Sequence, residues 1–315
     1  MGASVVDRRI RSLRPPKPAV DPYTAHGSLI EDERRPGGAI ERALTVFLSG
    51  AECPFTCSFC DLWQYTIDGP TPDGAIAAQL RQLLAASVAP VPDRLKLYNA
   101  SNFFDRRAVP KGDVPAIAEL ARGFRAVTVE SHVNTIGAAT LDFARMIRGR
   151  LEVAVGLETI HPVAAMQINK RLDLARFDKA SRFLADNGID LRAFALLGAP
   201  HVPDDEAVEW TVRTVEHAVA RGAAVVSIIP VRGGNGEMER LHGLGLFTPP
   251  TLAQLEDALD RSVQFTGTVI TADLWDAERL PGCMHCRGAR IERMRRINVG
   301  GRSEPRISCP ACEGA

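Results

Sequence analysis

Three cysteines crowded into one loop constrain this chain more than any other feature. Cys53-Pro54-Phe55-Thr56-Cys57-Ser58-Phe59-Cys60 has C-x3-C-x2-C spacing and comes directly after the apolar, strand-like run 44–48. A loop of this length can turn three thiolates toward one centre. Iron–sulfur clusters are normally held by four cysteine thiolates, so three with no fourth nearby suggest a [4Fe–4S] cluster whose remaining iron is open to another ligand. A structural zinc loop, or three unrelated buried thiols, is the alternative; it is weakened because structural zinc sites close with four ligands.

The rest of the chain supplies a scaffold for such a loop. From Leu44 onward, runs 44–48, 95–98, 126–129, 153–157, 191–197 and 224–229 read as strands, and runs 73–86, 114–122, 138–147, 175–187 and 204–220 carry apolar residues at helical spacing. Nearly continuous apolar strands suit a parallel sheet with helices on one face and a filled barrel on the other. Six βα units give an α/β fold, a partial (β/α)6 barrel over residues 44–250. Ligands in such barrels collect at the C-terminal strand ends, where the cysteine loop falls. Residues 1–43, with Arg14-Pro15-Pro16-Lys17-Pro18 and Arg34-Arg35-Pro36-Gly37-Gly38, read as an extended N-terminal arm with little regular structure.

At 315 residues and 45% hydrophobic, the chain can bury one large core. No apolar run approaches the roughly 20 residues of a bilayer span, and the basic start (Arg8, Arg9, Arg11, Arg14) lacks the apolar segment of a signal peptide. A cytoplasmic protein with no membrane partner is expected. The 38 basic and 38 acidic residues balance, so no global field recruits a polyanion.

Beyond Pro249-Pro250 a helix over 252–263 opens a small C-terminal unit, 251–315. There Cys283-Met284-His285-Cys286 and Cys309-Pro310-Ala311-Cys312 form two C-x2-C pairs with 22 residues between them. Four thiolates make a closed tetrahedral set, which favours structural zinc, with an auxiliary iron–sulfur cluster second. His285 then reads as a loop histidine beside the site. Cysteines grouped in this way point to metal rather than disulfides.

The cysteine spacing after the first barrel strand resembles that of the radical S-adenosylmethionine (SAM) superfamily. The resemblance implies that the open iron binds the amino and carboxylate groups of SAM, and that an external one-electron donor of the flavodoxin or ferredoxin type reduces the cluster. Asn99 and Ser101, in Asn99-Ala100-Ser101-Asn102, stand where that superfamily often has a glycine-rich SAM-binding stretch; the usual glycines are absent. Glu130 and Glu158 each end an apolar strand, where a carboxylate is costly unless it faces polar partners. The order Glu130, Glu158, Lys170 resembles that of the oxygen-independent coproporphyrinogen dehydrogenases. It implies Glu130 at the methionyl or ribose region, Glu158 at the ribose and Lys170 at the carboxylate. A salt-bridge network along the barrel rim is the competing reading. Gly198 and Pro230 close the fifth and sixth strands, where backbone edges suit an adenine, and Phe59 stands where an aromatic covers that base. Core packing competes for Phe55 and Trp63. No dedicated substrate base is identifiable, and Glu237 and Glu239 take no role.

Over residues 15–260 the order of phrases is similar to the Elongator-type branch, in particular the group containing the radical subunit of archaeosine synthase. Those phrases are Arg14-Pro15-Pro16-Lys17-Pro18, Phe103-Phe104-Asp105-Arg106-Arg107-Ala108-Val109-Pro110, Val129-Glu130-Ser131, Gly156-Leu157-Glu158-Thr159, Ile168-Asn169-Lys170 and Phe247-Thr248-Pro249-Pro250. The likeness implies a modified transfer RNA nucleoside as substrate, with transfer RNA as partner. Arg287, Arg290, Arg293, Arg295, Arg296, Arg302 and Arg306 could contact phosphates, or be solvated arginines on a zinc unit. A small metabolite is the runner-up substrate. Further alternatives are methylthiolation through a C-terminal auxiliary cluster and a non-catalytic metal-binding or nucleic-acid-binding module.

Overall fold

The computed structural model describes residues 4–86 and 90–313. Helix α1 (Val5–Leu13) precedes the hairpin β1 (Gly27–Arg34) and β2 (Ile40–Phe47). There follow α2 (Ala75–Ala86), β3 (Arg94–Tyr98), α3 (Asp113–Leu120), β4 (Ala126–Glu130), α4 (Ala138–Met146), β5 (Arg150–Glu158), α5 (Pro162–Gln167), α6 (Leu174–Asp186), β6 (Asp190–Leu197), α7 (Ala207–Ala220) and β7 (Val225–Pro230). The chain ends with α8 (Glu237–Gly243), α9 (Leu252–Ser262), β8 (Val269–Ala272), α10 (Arg287–Gly300) and α11 (Pro310–Glu313). The sheet runs in chain order from β1 to β8, antiparallel between β1 and β2 and parallel thereafter. It is an open, curled partial barrel.

Strand register divides the sheet into two unlike faces. Leu44/Val46, Leu95/Leu97, Val127/Val129, Val153/Val155, Leu191/Ala193 and Val226/Ile228 point outward into one continuous core with Ile76, Ile117, Phe143, Phe177, Val215 and Leu255 of the helices. Each such large side chain stabilises the fold by roughly 1.5–3 kcal/mol on burial. The alternate residues line the lumen. At its floor Lys96 pairs with Glu31 and Glu33, Arg192 with Glu33 and Glu152, and Arg94 with Glu41. Burial pushes the Glu33 carboxyl up, but Arg192 and Lys96 hold it down at about 2. The lumen floor is thus a paired ionic layer, costly to break on one side only.

The structure differs from the sequence-based expectation at two places. The segment read as an arm with little regular structure contains α1 and β1. Strand β1 is cryptic in the sequence because its lumen-facing positions include Glu31 and Glu33, which only distant Lys96 and Arg192 justify. A seventh parallel strand, the four-residue β8, lies in the segment expected to hold only helix and knuckle. Helix α10 packs against both β1 and β8 and so bridges the open side of the sheet. The Asn298 side chain there completes the edge of β8, accepting from Ala272 N and donating to Ala272 O, both at 2.9 Å. Among the described residues no helix is long and apolar enough to cross a membrane.

Candidate active site

The cysteine loop leaves β2 at the mouth of the lumen and is pinned from three directions by asparagine side chains. After β3, Asn102 donates Nδ2–H to Cys53 Sγ (3.3 Å) while its Oδ1 accepts from His132 N (2.6 Å). After α5, Asn169 donates to the carbonyl and hydroxyl oxygens of Thr56, both at 2.8 Å. After β7, Asn235 donates to Ser58 O (2.8 Å) and Cys60 O (3.2 Å), and its Oδ1 accepts from Met238 N. Helix α1 adds Asp7, which accepts from Thr56 and Asn169 and pairs with Arg171. Burial opposes the Asp7 charge, but hydrogen bonds from Thr56, Asn169 and Ser4 hold its carboxyl far below the usual range. The loop is thereby fixed by groups from four separate elements.

Burial pushes all three thiols up, Cys57 to about 12. A metal's positive charge reverses that preference and takes thiolate ligands. Beside them, Glu158 and Lys170 form a buried pair; burial disfavours the Lys170 ammonium, yet Glu158 raises its pKa overall. The local backbone is shaped for this pair. Glu158 is left-handed (φ 68) after a break in the β5–β6 register between Gly156 and Glu158. Asn169 (φ 56) and Arg171 (φ 58) flank Lys170 in the same conformation. A Cβ on Gly156 would collide with Glu158 Oε1 and Lys170 Nζ, so a side chain there would push the two head groups out of their present positions over the strand.

Glu130 takes a position behind the loop after β3. Its Oε1 accepts from Asn99 N at 2.7 Å, and burial raises its pKa to about 7 against the amides of Asn99, Ser101 and Ala100. Ala100 is left-handed (φ 54), so the turn that glycine favours is made here without one. Asn99 is 0% exposed, and both polar atoms of its side chain lack a partner, as do the buried hydroxyls of Ser101 and Ser58. Buried polar groups are normally satisfied; these orphans beside three thiols fit a polar ligand bound between them. Gly198 is left-handed (φ 71) and lies under Pro250. Pro230 ends β7 opposite Leu197. Phe59 packs against the small cluster of Leu196, Ala199, Val231 and Met238 at those strand ends. Trp63 is a core residue with the Arg14 guanidinium 4.7 Å from its ring, and Phe55 stacks on His132 at 4.1 Å.

The sequence reasoning singled out Glu130, Glu158 and Lys170 but missed Asp7, the three clamping asparagines, Gly156 and His132. Asn102, Asn169 and Asn235 each stand two to five residues beyond the end of β3, α5 or β7, and a short amide at such a place is the available signal.

The second cysteine set is tighter. The Sγ atoms of Cys283, Cys286, Cys309 and Cys312 all lie within 4.8 Å of one another; among the described residues no other such group is found, the triplet included. Cys286 and Cys312 are 3.7 Å apart, close to the separation of two sulfurs about 2.3 Å from one tetrahedral ion. The amides of Cys286 and His285 pull Cys283 down to about 6. Of the seven nearby arginines, six are engaged within the chain. Arg293, wholly buried, pairs with Glu256 and Asp260; Arg290 with Glu256; Arg306 with Asp257; Arg295 with Glu292; Arg296 with Glu304; and Arg287 donates to the Leu280 and Gly282 carbonyls.

No family model matches the sequence, and no curated protein matches it. Solved structures do match the fold. The archaeal Elp3 of Methanocaldococcus infernus with an N-terminal deletion aligns at a TM-score of 0.51 and 13% identity, covering 71% of this chain and 58% of that one. A radical SAM methyltransferase from Sphaerobacter thermophilus aligns at 0.50 and 16% identity, covering 85% and 81%. Streptococcus suis SuiB aligns at 0.50 and 14%, covering 76% and 49%. The chain has the partial-barrel fold of radical SAM enzymes, and it spans less than two thirds of the length of the archaeal Elp3 structure.

Proposed function

We propose that the protein is a radical SAM enzyme acting on a nucleobase-bearing substrate, a modified nucleoside of transfer RNA being the leading case. One observation carries the cofactor reading: three clamped thiols share the lumen mouth with the unpartnered polar atoms of Asn99, Ser101 and Ser58. Bound there, a [4Fe–4S] cluster supplies the electron that splits the SAM C5′–S bond into methionine and a hydrogen-abstracting 5′-deoxyadenosyl radical. Cys53, Cys57 and Cys60 are its ligands. Lys170 meets the SAM carboxylate and Glu158 the ribose, each leaving its present partner to do so. Asn99, Ser101 and Glu130 serve the methionyl and ribose region, and the backbone at Gly198 and Pro230 the adenine, with Phe59 beside it. The C-terminal cysteines hold structural zinc, a reading their close, four-thiol spacing supports over an auxiliary cluster. The electron donor is of the flavodoxin or ferredoxin type. The internal pairing of the C-terminal arginines favours a second reading, in which the substrate is a small free metabolite in the cytoplasm and not a folded RNA.

Anaerobic incubation with SAM and dithionite tests the chemistry. About four irons and one zinc per chain, with 5′-deoxyadenosine formed, are expected. In Gly156→Ala the iron content should stay unchanged while the KM for SAM rises at least tenfold, because the added methyl displaces Glu158 and Lys170. Zinc alone after iron–sulfide reconstitution, with no 5′-deoxyadenosine, would leave the binding-module reading in its place.

A further inference from the structure

The lumen wall carries side chains that neither metal site nor SAM employs. Phe47 and Tyr98 are register partners at the mouth ends of β2 and β3, with ring centroids 6.5 Å apart. Trp275, just beyond β8, meets Phe47 edge-on at 6.0 Å. Because β2 and β8 lie toward opposite ends of the sheet, the indole reaches across the open seam of the barrel. It is 59% exposed, yet firmly held. Asp273 Oδ1 accepts from Trp275 N at 2.9 Å, Arg232 donates both to Asp273 and to Trp275 O, and left-handed Asp276 (φ 57) turns the chain away.

A strained and hydrogen-bonded turn that presents a large apolar ring to water calls for a guest. Polar groups near the rings narrow its chemistry. Thr45 is 2% exposed and stands on the same lumen face two residues before Phe47, and its buried hydroxyl has no partner. Ser227 and Thr271 face each other at 3.1 Å on the lumen wall below Trp275. Lys96 Nζ lies 5.8 Å from the Tyr98 ring centroid, at the floor end of the lumen, so a guest approaches from the mouth. An aliphatic guest gains little from ring faces, and a phenol or indole offers one polar edge atom. A nucleobase offers a flat face for stacking and several donors and acceptors for hydroxyls.

We infer that Phe47, Tyr98 and Trp275 form a stacking platform for a nucleobase of the substrate, with the Thr45 hydroxyl set to read its edge. The substrate role rests on the radical SAM reading; the binding does not. Calorimetric titration of the reconstituted protein with guanosine, uridine and mixed transfer RNA tests it, beside Trp275→Leu, an exposed change that spares the core, and Tyr98→Phe, which keeps the ring. At least one probe should bind, Trp275→Leu should weaken it tenfold or more, and Tyr98→Phe should stay within twofold. Binding of transfer RNA alone assigns the base to RNA, and binding of nucleosides alone assigns it to a free metabolite. Binding without SAM cleavage keeps the platform and removes the radical chemistry. No binding by any probe, or equal binding in Trp275→Leu, overturns the inference.

Discussion

The two cysteine sites solve opposite problems. The C-terminal four are gathered within 4.8 Å, where amide N–H groups draw Cys283 down to about 6 while the hydrogen bonds it shares with Cys283 and Cys286 push Cys312 up to about 12. That geometry suits one ion with no position left over. The triplet is not gathered so closely, its thiols are pushed up by burial, and its loop is held by Asp7 of α1 and by asparagines from three loops of the barrel. The first site is organised by its own ligands, so metal and fold there stand or fall together. The second is organised from outside, by Asp7, Asn102, Asn169 and Asn235, with the unpartnered polar atoms of Asn99, Ser101 and Ser58 among its surroundings.

The largest test of this contrast removes one ligand from each site. Cys57→Ala should lose its iron and all 5′-deoxyadenosine formation, yet keep its zinc and a melting temperature within a few degrees of the iron-free wild type. Cys286→Ala should lose zinc and unfold the segment around α10, since structural zinc contributes on the order of 10 kcal/mol to such units. Because α10 bridges β1 and β8, the barrel itself should melt lower. Metal analysis and calorimetry of the two variants read this directly, and equal melting temperatures would erase the distinction.

A smaller test compares what holds each loop. Arg293 is wholly buried, pairs with Glu256 and Asp260, and donates to the Glu304 and Pro305 carbonyls ahead of Cys309. Arg293→Met removes the one wholly buried cation of this cluster, leaving Glu256 to Arg290 and Asp260 to Arg306 and Ser303, and should cost about 3 kcal/mol. Asn235→Ala strands neutral carbonyls of Ser58 and Cys60 and should cost about 1–3 kcal/mol. Urea unfolding gives both; an asparagine cost as large as the arginine cost would mean that the cysteine loop also carries the stability of the barrel.

The same contrast explains what was legible in the sequence. Local patterns reported local chemistry: the cysteine spacings, the six apolar strands and the helices over 75–86 and 252–262 all appear in the structure. Long-range pairing was invisible. Glu33 makes sense on a lumen-facing strand only once Lys96 and Arg192 stand opposite it, and Asp7 only once Thr56 and Asn169 reach it. Arg293 read as one member of a basic patch because its acids, Glu256 and Asp260, lie a helix away. The left-handed turn at Ala100 was hidden because glycine is its usual signal.

The smallest effect expected at the cysteine loop is a cancellation. His132 stacks on Phe55, its Nδ1 accepts from Asn134 N, and its Nε2 faces the Lys170 carbonyl at 3.2 Å. Burial first, and then the Lys170 charge, push it down to about 4, with Arg176 adding to the effect and the Lys170 carbonyl opposing it. An unfolded histidine titrates near 6.5, so between pH 6.5 and 4 the unfolded chain binds this proton first and stability falls as pH falls. Two residues earlier, Glu130 is raised to about 7 from an unfolded value near 4.5. Over almost the same window its folded form binds the proton first, and stability rises as pH falls. Glu33, held at about 2, loses its contribution only below the unfolded carboxylate range and stays out of this window. The His132 and Glu130 contributions should therefore nearly cancel in the iron-free wild type from pH 6.5 to 4.5. His132→Phe should gain stability on acidification and Glu130→Gln should lose it, each by about 1 kcal/mol per pH unit. Urea unfolding at stepped pH measures both slopes; parallel slopes in the two variants would show that the loop does not hold these neighbours in opposite proton states.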